Sequence, residues 1–217
     1  MKRAIKPDDA AALIPDGATV LIGGFMGVGS PHRLIDAMVR RKVRDLTVIA
    51  NDTAWPGNGI GKLVTAKAIK RCIASHIGLN PETQHQMIEG EMEVELVPQG
   101  TLVERIRAAG YGLGGVLTQT GIGTPVEEGK QKIEVEGKTY LVETPLSADF
   151  ALVAARQADY VGNLEYSLTA HNFNPIMAMA AETVIAEPHF VVPLGMIPPD
   201  SVKTPGIIVD HLIERGA

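Results

Sequence analysis

Asp16-Gly17-Ala18-Thr19-Val20-Leu21-Ile22-Gly23-Gly24-Phe25-Met26-Gly27-Val28-Gly29-Ser30-Pro31 is the stretch on which the reading of the fold turns. Asp-Gly signals a turn, residues 19–22 form a short apolar run of strand character, and the glycines after them cannot continue a strand. From 31 to 41 the apolar side chains take helical spacing, with Leu34, Ile35, Met38 and Val39 on one face. The stretch therefore predicts strand, loop and helix, with Ser30 as a capping hydroxyl and Pro31 in the first helical position. In such a loop the backbone comes close to a ligand, and free N–H groups at the loop and helix start attract anions. A tight turn that binds nothing is the alternative.

Working outward, the same alternation recurs. Residues 46–50, 69–75 and 94–97 read as strands, 81–89 as a helix behind Asn80, and 101–109 as a helix whose Thr101 and Glu104 have capping-box spacing. Repeated strand-helix units with nearly continuous apolar strands predict an α/β fold with an open, mostly parallel sheet flanked by helices. Residues 110–129 are too rich in glycine for a helix and read as one long loop, a length usually reserved for function. A small hairpin insertion follows, 132–135 and 139–142 around Glu136-Gly137, and then two core strands, 150–154 and 183–186, separated by a short helix at 175–181. No repeat or linker interrupts the chain, so residues 1–217 are expected to form one domain.

Composition narrows the function classes. With 217 residues, 45% hydrophobic, 21% charged, a formal charge of -5 and a mean hydropathy of +0.10, the chain can bury a sizeable core and is not disordered. It lacks the basic surface of a nucleic-acid binder; Arg40, Arg41, Lys42 and Arg44 read as a solvated helix end. No apolar run approaches the ~20 residues that span a bilayer, and residues 1–9 lack a signal-peptide core, so a cytoplasmic protein is expected. The single cysteine, Cys72, sits in an apolar run and reads as core. His32, His76, His85 and His171 show no zinc-ligand spacing, so no metal site is expected.

Nucleotide fingerprints fit poorly. Residues 23–29 do not register onto G-x-G-x-x-G, the phosphate-binding lysine motif is absent, and the formal match at Gly110, Gly112 and Gly115 follows a helix instead of a strand. The run from Asp16 to Pro31 instead resembles the first signature of the class I coenzyme A transferases. Further matches are spread along the chain, at 46–52, 98–107, 120–124 and 170–174, and the similarity covers almost its whole length. Their order is similar to that of the α subunit, and within the family to the bacterial subunits acting on acetate or acetoacetate.

That resemblance implies the CoA-transferase architecture, which sugar-phosphate isomerases also approximate. It implies acyl-CoA and CoA as substrates, no resident cofactor, and a β subunit in an α2β2 assembly, whose glutamate within Ser-Glu-Asn-Gly is the nucleophile. No such tetrapeptide occurs here, so the chain alone is expected to be inactive. By the same resemblance Gln99 is the oxyanion donor, Gly24, Phe25, Met26, Gly27, Val28, Gly29 and Ser30 line the CoA site, and Asn51 and Asp52 meet the carboxylic acid. Without it, Pro98-Gln99-Gly100 is a turn and Asn51-Asp52 an Asx turn. The acid is expected to be acetate, acetoacetate or butyrate, with succinate or 3-oxoadipate as the alternative and a non-catalytic CoA-binding module as the rival of another class.

Overall fold

The computed structural model describes residues 2–214. The chain runs β1 (Ala4–Ile5), α1 (Pro7–Ala12), β2 (Thr19–Ile22), α2 (His32–Arg41), β3 (Leu46–Asp52), α3 (Gly61–Thr65), β4 (Ile69–His76), α4 (Pro81–Ile88) and β5 (Glu93–Leu96). It continues through α5 (Gln99–Gly110), β6 (Val116–Thr118), β7 (Lys132–Val135), β8 (Lys138–Glu143), β9 (Ala148–Asp159), β10 (Leu164–Glu165), α6 (Asn174–Met179), β11 (Ala181–Val192) and β12 (His211–Ile213). The main sheet has the order β1-β12-β11-β9-β2-β3-β4-β5 and is parallel throughout, apart from β10 beside β9. Among the described residues no helix is long and apolar enough to cross a membrane.

Strand side chains alternate between two cores. Val20, Val48 and Cys72 face one, closed by Leu34, Ile35 and Met38 of α2 with Leu63 of α3. Leu21, Ile49 and Ile73 face the other, closed by Leu102 and Ile106 of α5 with Met177 of α6. Cys72 is completely buried, and burial first, then the Asp52 charge, pushes its thiol up to about 12, so it serves as core.

The parallel sheet flanked by helices is present as read, and three local expectations need correction. Ser30 does not cap α2: Pro31 occupies the cap position, and the N–H groups of Arg33 and Leu34 donate to Glu187 of β11 at 3.1 and 2.8 Å. A carboxylate brought in by a distant strand has replaced the local hydroxyl. The 101–104 capping box is likewise unused, because α5 begins at Gln99 and Glu104 pairs with Arg107 at 2.9 Å. Residues 110–129 are not one loop: β6 pairs with β8, making the hairpin a three-stranded sheet. Its turn is as expected, with Glu136 and Gly137 both at positive φ, 51° and 72°.

β9 and β11 are also longer than their apolar runs suggest, pairing from Ala148 and Ala181 to Asp159 and Val192. β12 pairs with β11 only at Ile185 and Ala186, so Pro188 sits within β11 beyond the covered part of that edge. The small sheet is anchored by charge. Glu143, 1% exposed, accepts from Lys130 at 2.6 Å and lies 3.8 Å from Arg105, whose Nη1 donates to Glu95 at 3.0 Å. Burial alone would raise the Glu95 carboxyl; Arg105 and Arg71 outweigh it and hold the group below its usual range.

Arg33 completes the α2 anchor, its Nε 3.3 Å from Glu187 and its Nη2 3.0 Å from the Pro188 carbonyl. Glu187→Ala removes the cap and the counter-ion of Arg33 while its carbonyl partner at Pro188 remains, so chemical denaturation is expected to show a loss of about 1 to 2 kcal/mol.

Candidate functional site

β2 is flanked by β3 on one side and β9 on the other, and the chain fills the sheet outward from it in both directions. The crevice beyond the carboxyl end of such a strand is where open α/β sheets bind ligands. Gly23 still pairs with β9, its N–H donating to Leu152 O at 2.9 Å, and the chain then leaves the sheet. Phe25 and Val28 exchange backbone hydrogen bonds of 3.0 and 2.9 Å around Met26-Gly27, both at positive φ, 53° and 85°. This is a reversing turn of the hairpin type. Gly27 is required twice over, by its φ and because a Cβ there would fall 2.3 Å from Asn58 Nδ2.

The turn is held from several elements. Asp52 Oδ2 accepts from Met26 N–H at 2.8 Å, Asn58 donates to Met26 O at 3.3 Å, and His32 Nε2 donates to Gly27 O at 2.9 Å. Asn172 accepts from Gly24 N–H at 3.2 Å and donates to Val28 O at 3.1 Å, clamping both arms. Asn174, completely buried, accepts from Ala154 N–H at 3.0 Å and donates to Gly29 O and Ala170 O at 2.9 Å each. Among the described residues the amides of Gly27 and Gly29 donate to no internal acceptor.

Asn51 and Asp52 are adjacent in β3, so their side chains serve opposite faces of the sheet. Asp52 reaches the glycine turn; Asn51 reaches Gln99, whose Nε2 donates to Asn51 Oδ1 at 2.8 Å. Gln99 itself is exposed at the first turn of α5. Two separate hydrogen bonds, one on each face of β3, thus tie its end to Gln99 and to Met26.

A cavity of about 640 Å³ opens on the other side of the turn. Met26 to Ser30 form one wall, and Arg156, Ser167 and His189 contribute to the others. Gln99, Asn51 and Asp52 do not line it. Phe25 and Val28 stay exposed, 39% and 52%. Asn172 and Asn174 belong to the 170–174 stretch already singled out by resemblance, whereas Asn58 and Glu187 carry no local signal. Among the described residues no group of three or more His, Cys, Asp or Glu side chains is arranged to hold a metal.

Burial raises the Asp52 carboxyl above its ordinary value of 3.8, against the N–H groups of Met26 and Ala54 and the His76 charge, which lower it. The folded state therefore holds this proton more tightly than the unfolded chain, and Asp52 weakens the fold as pH rises through the window above 3.8. Asp52→Asn keeps an acceptor for Met26 N–H without the buried charge. Its stability relative to the parent should increase between about pH 4 and pH 7 in denaturant titrations, and a difference independent of pH would refute this.

The coenzyme A transferase family model matches residues 4–215. The chain is 54% identical over 205 residues to the acetate CoA-transferase subunit alpha of Escherichia coli (strain K12), which covers 94% of this chain and 93% of the relative. It is 47% identical over 215 residues to the acetoacetyl-CoA:acetate/butyrate CoA transferase alpha subunit of Clostridium acetobutylicum, covering 99% of both. A solved acyl-CoA transferase from E. coli O157:H7 superposes with a TM-score of 0.87 at 23% identity, a likeness of fold in which this chain spans 47% of the longer one. A variant of the decarboxylase AibA/AibB superposes at 0.82 with 28% identity, over 98% of this chain and 83% of that one. A sheet with a glycine turn at its switch point, matched from end to end by transferase alpha subunits, leaves one conclusion: this chain belongs to the coenzyme A transferase family, as an alpha subunit related to those of the bacterial acetate and butyrate enzymes.

Proposed function

We propose that this alpha subunit serves a transferase moving CoA between a short-chain acyl-CoA and an acid of the acetate, acetoacetate or butyrate type, with its nucleophilic glutamate on a beta subunit. The observation that supports the reading is that the carboxyl end of β3 holds the Gln99 carboxamide through Asn51 on one face and the glycine turn through Asp52 on the other. In the proposed reaction the partner's carboxylate attacks the thioester, giving an acyl-glutamyl anhydride and the CoA thiolate. The thiolate then attacks the glutamyl carbonyl, releasing the first acid and leaving a glutamyl-CoA thioester. The acceptor acid reverses both steps.

Attacker and leaving thiolate are both anionic, so the chief demand is stabilisation of the oxyanion formed at each acyl carbon. Gln99 is the donor for that charge in this proposal, having a second Nε2 hydrogen beyond the one given to Asn51. The segment Gly24, Phe25, Met26, Gly27, Val28, Gly29 and Ser30 holds the thioester and pantetheine end. Its free Gly27 and Gly29 amides supply dipoles, and Phe25 and Val28 an apolar wall that keeps water from the anhydride. Asn51 and Asp52 act on the acid side, through the amide and the turn that they hold. Asp52 is unsuited to attack, being 2% exposed with Oδ2 committed to Met26.

A second reading, a dicarboxylate such as succinate, has Arg156 in its favour, a cation on the cavity wall. Equal-concentration rates with acetate and succinate as acceptors separate the two. For the mechanism, the isolated chain should show no exchange of CoA between acids, and adding a chain with Ser-Glu-Asn-Gly should restore it. In that assembly Gln99→Ala should lower turnover about 100- to 1000-fold, the usual loss for one oxyanion donor, with assembly unchanged. Full activity of the isolated chain, or of the variant, would overturn the corresponding assignment.

A further inference from the structure

Gln99 is an exposed side chain with three rotatable bonds, and a donor for a transient oxyanion acts well only if it is already aimed. Its aim is set by Asn51 Oδ1, the acceptor 2.8 Å from Nε2. Asn51 is in turn fixed by Ser75, directly opposite it in the β3–β4 ladder, where Ala50 pairs with Ala74 and Asp52 with His76. Ser75 Oγ lies 2.7 Å from the Asn51 carbonyl oxygen and 2.9 Å from Asn51 Oδ1, so its single proton is shared between backbone and side chain. This locks the Asn51 carboxamide against its own strand.

The placement follows the strand period. Ile49 and Ile73 face the core beneath α5, and two residues further on Asn51 and Ser75 continue the same face as its polar rim, where α5 delivers Gln99. We infer that Ser75 is a positioning residue for the transfer reaction, acting on the Gln99 carboxamide through Asn51. The inference rests on the role given to Gln99 above and adds to it the element that makes an exposed carboxamide rigid.

A double-mutant cycle in the assembled transferase tests it. Ser75→Ala should lower kcat about five- to tenfold, the worth of one orienting hydrogen bond, and leave KM for acyl-CoA within about twofold. Ser75→Thr, which keeps the hydroxyl and suits a strand, should restore kcat. With Gln99 already replaced by Ala, adding Ser75→Ala should cost less than about twofold, because the group it positions is gone. Ser75→Cys, nearly isosteric and a weak donor, gives the same comparison if alanine disturbs the strand. Unchanged kcat in both Ser75→Ala and Ser75→Cys, or an equal loss with and without Gln99, overturns the inference while leaving Gln99 as oxyanion donor. Full turnover of Gln99→Ala alone overturns the donor role first, and this inference with it.

Discussion

A chain that leaves the middle of a parallel sheet and folds back across its carboxyl edge carries backbone N–H and C=O groups that no neighbouring strand can satisfy. Left unpaired and away from water, each costs about 1 to 3 kcal/mol. Much of the crevice is an answer to that constraint. Asp52, Asn58, His32, Asn172 and Asn174 each take one or more backbone groups of residues 24–29, and they come from β3, α2, α6 and the segments after β3 and β10. Satisfying the turn is what draws those segments together. The Gly27 and Gly29 amides are left without an internal acceptor.

The same economy governs the charges near the site. Glu187 serves as the distant cap of α2 and as the counter-ion of Arg33, so the helix behind the turn is tied to the extended part of β11. Neither carboxylate closest to the crevice is free for covalent work: Glu187 is held by three donors, and Asp52 is buried under the turn. The turn presents neutral dipoles, and these two acids have structural partners. This division suits a reaction whose attacking carboxylate comes from elsewhere.

The small sheet of β6, β7 and β8 stands apart from this machinery. It is joined through Glu143, Arg105 and Lys130, a nearly buried set in which each charge has an opposite neighbour. Glu143 faces two cations, and Arg105 also donates to the Thr144 carbonyl at 2.8 Å, which ties the insertion to α5, the helix that carries Gln99 at its first turn.

By itself the sequence determined the alternation of strand and helix, the parallel sheet, the glycine turn after residues 19–22, the Glu136-Gly137 hairpin and the core place of Cys72. Each of these is written in local chemistry: apolar runs, turn residues, the 3.6-residue period. The tertiary structure decided the cap of α2, the true lengths of β9 and β11, the third strand of the small sheet, and the partners Asn58, Ser75 and Glu187. Those depend on groups brought together from far along the chain. Ser30 was a sound local cap, yet it lost to a carboxylate from β11. Asn51 and Asp52, neighbours in sequence, were sent to opposite faces by the pleat of the strand, a separation that only the folded sheet turns into two different tasks.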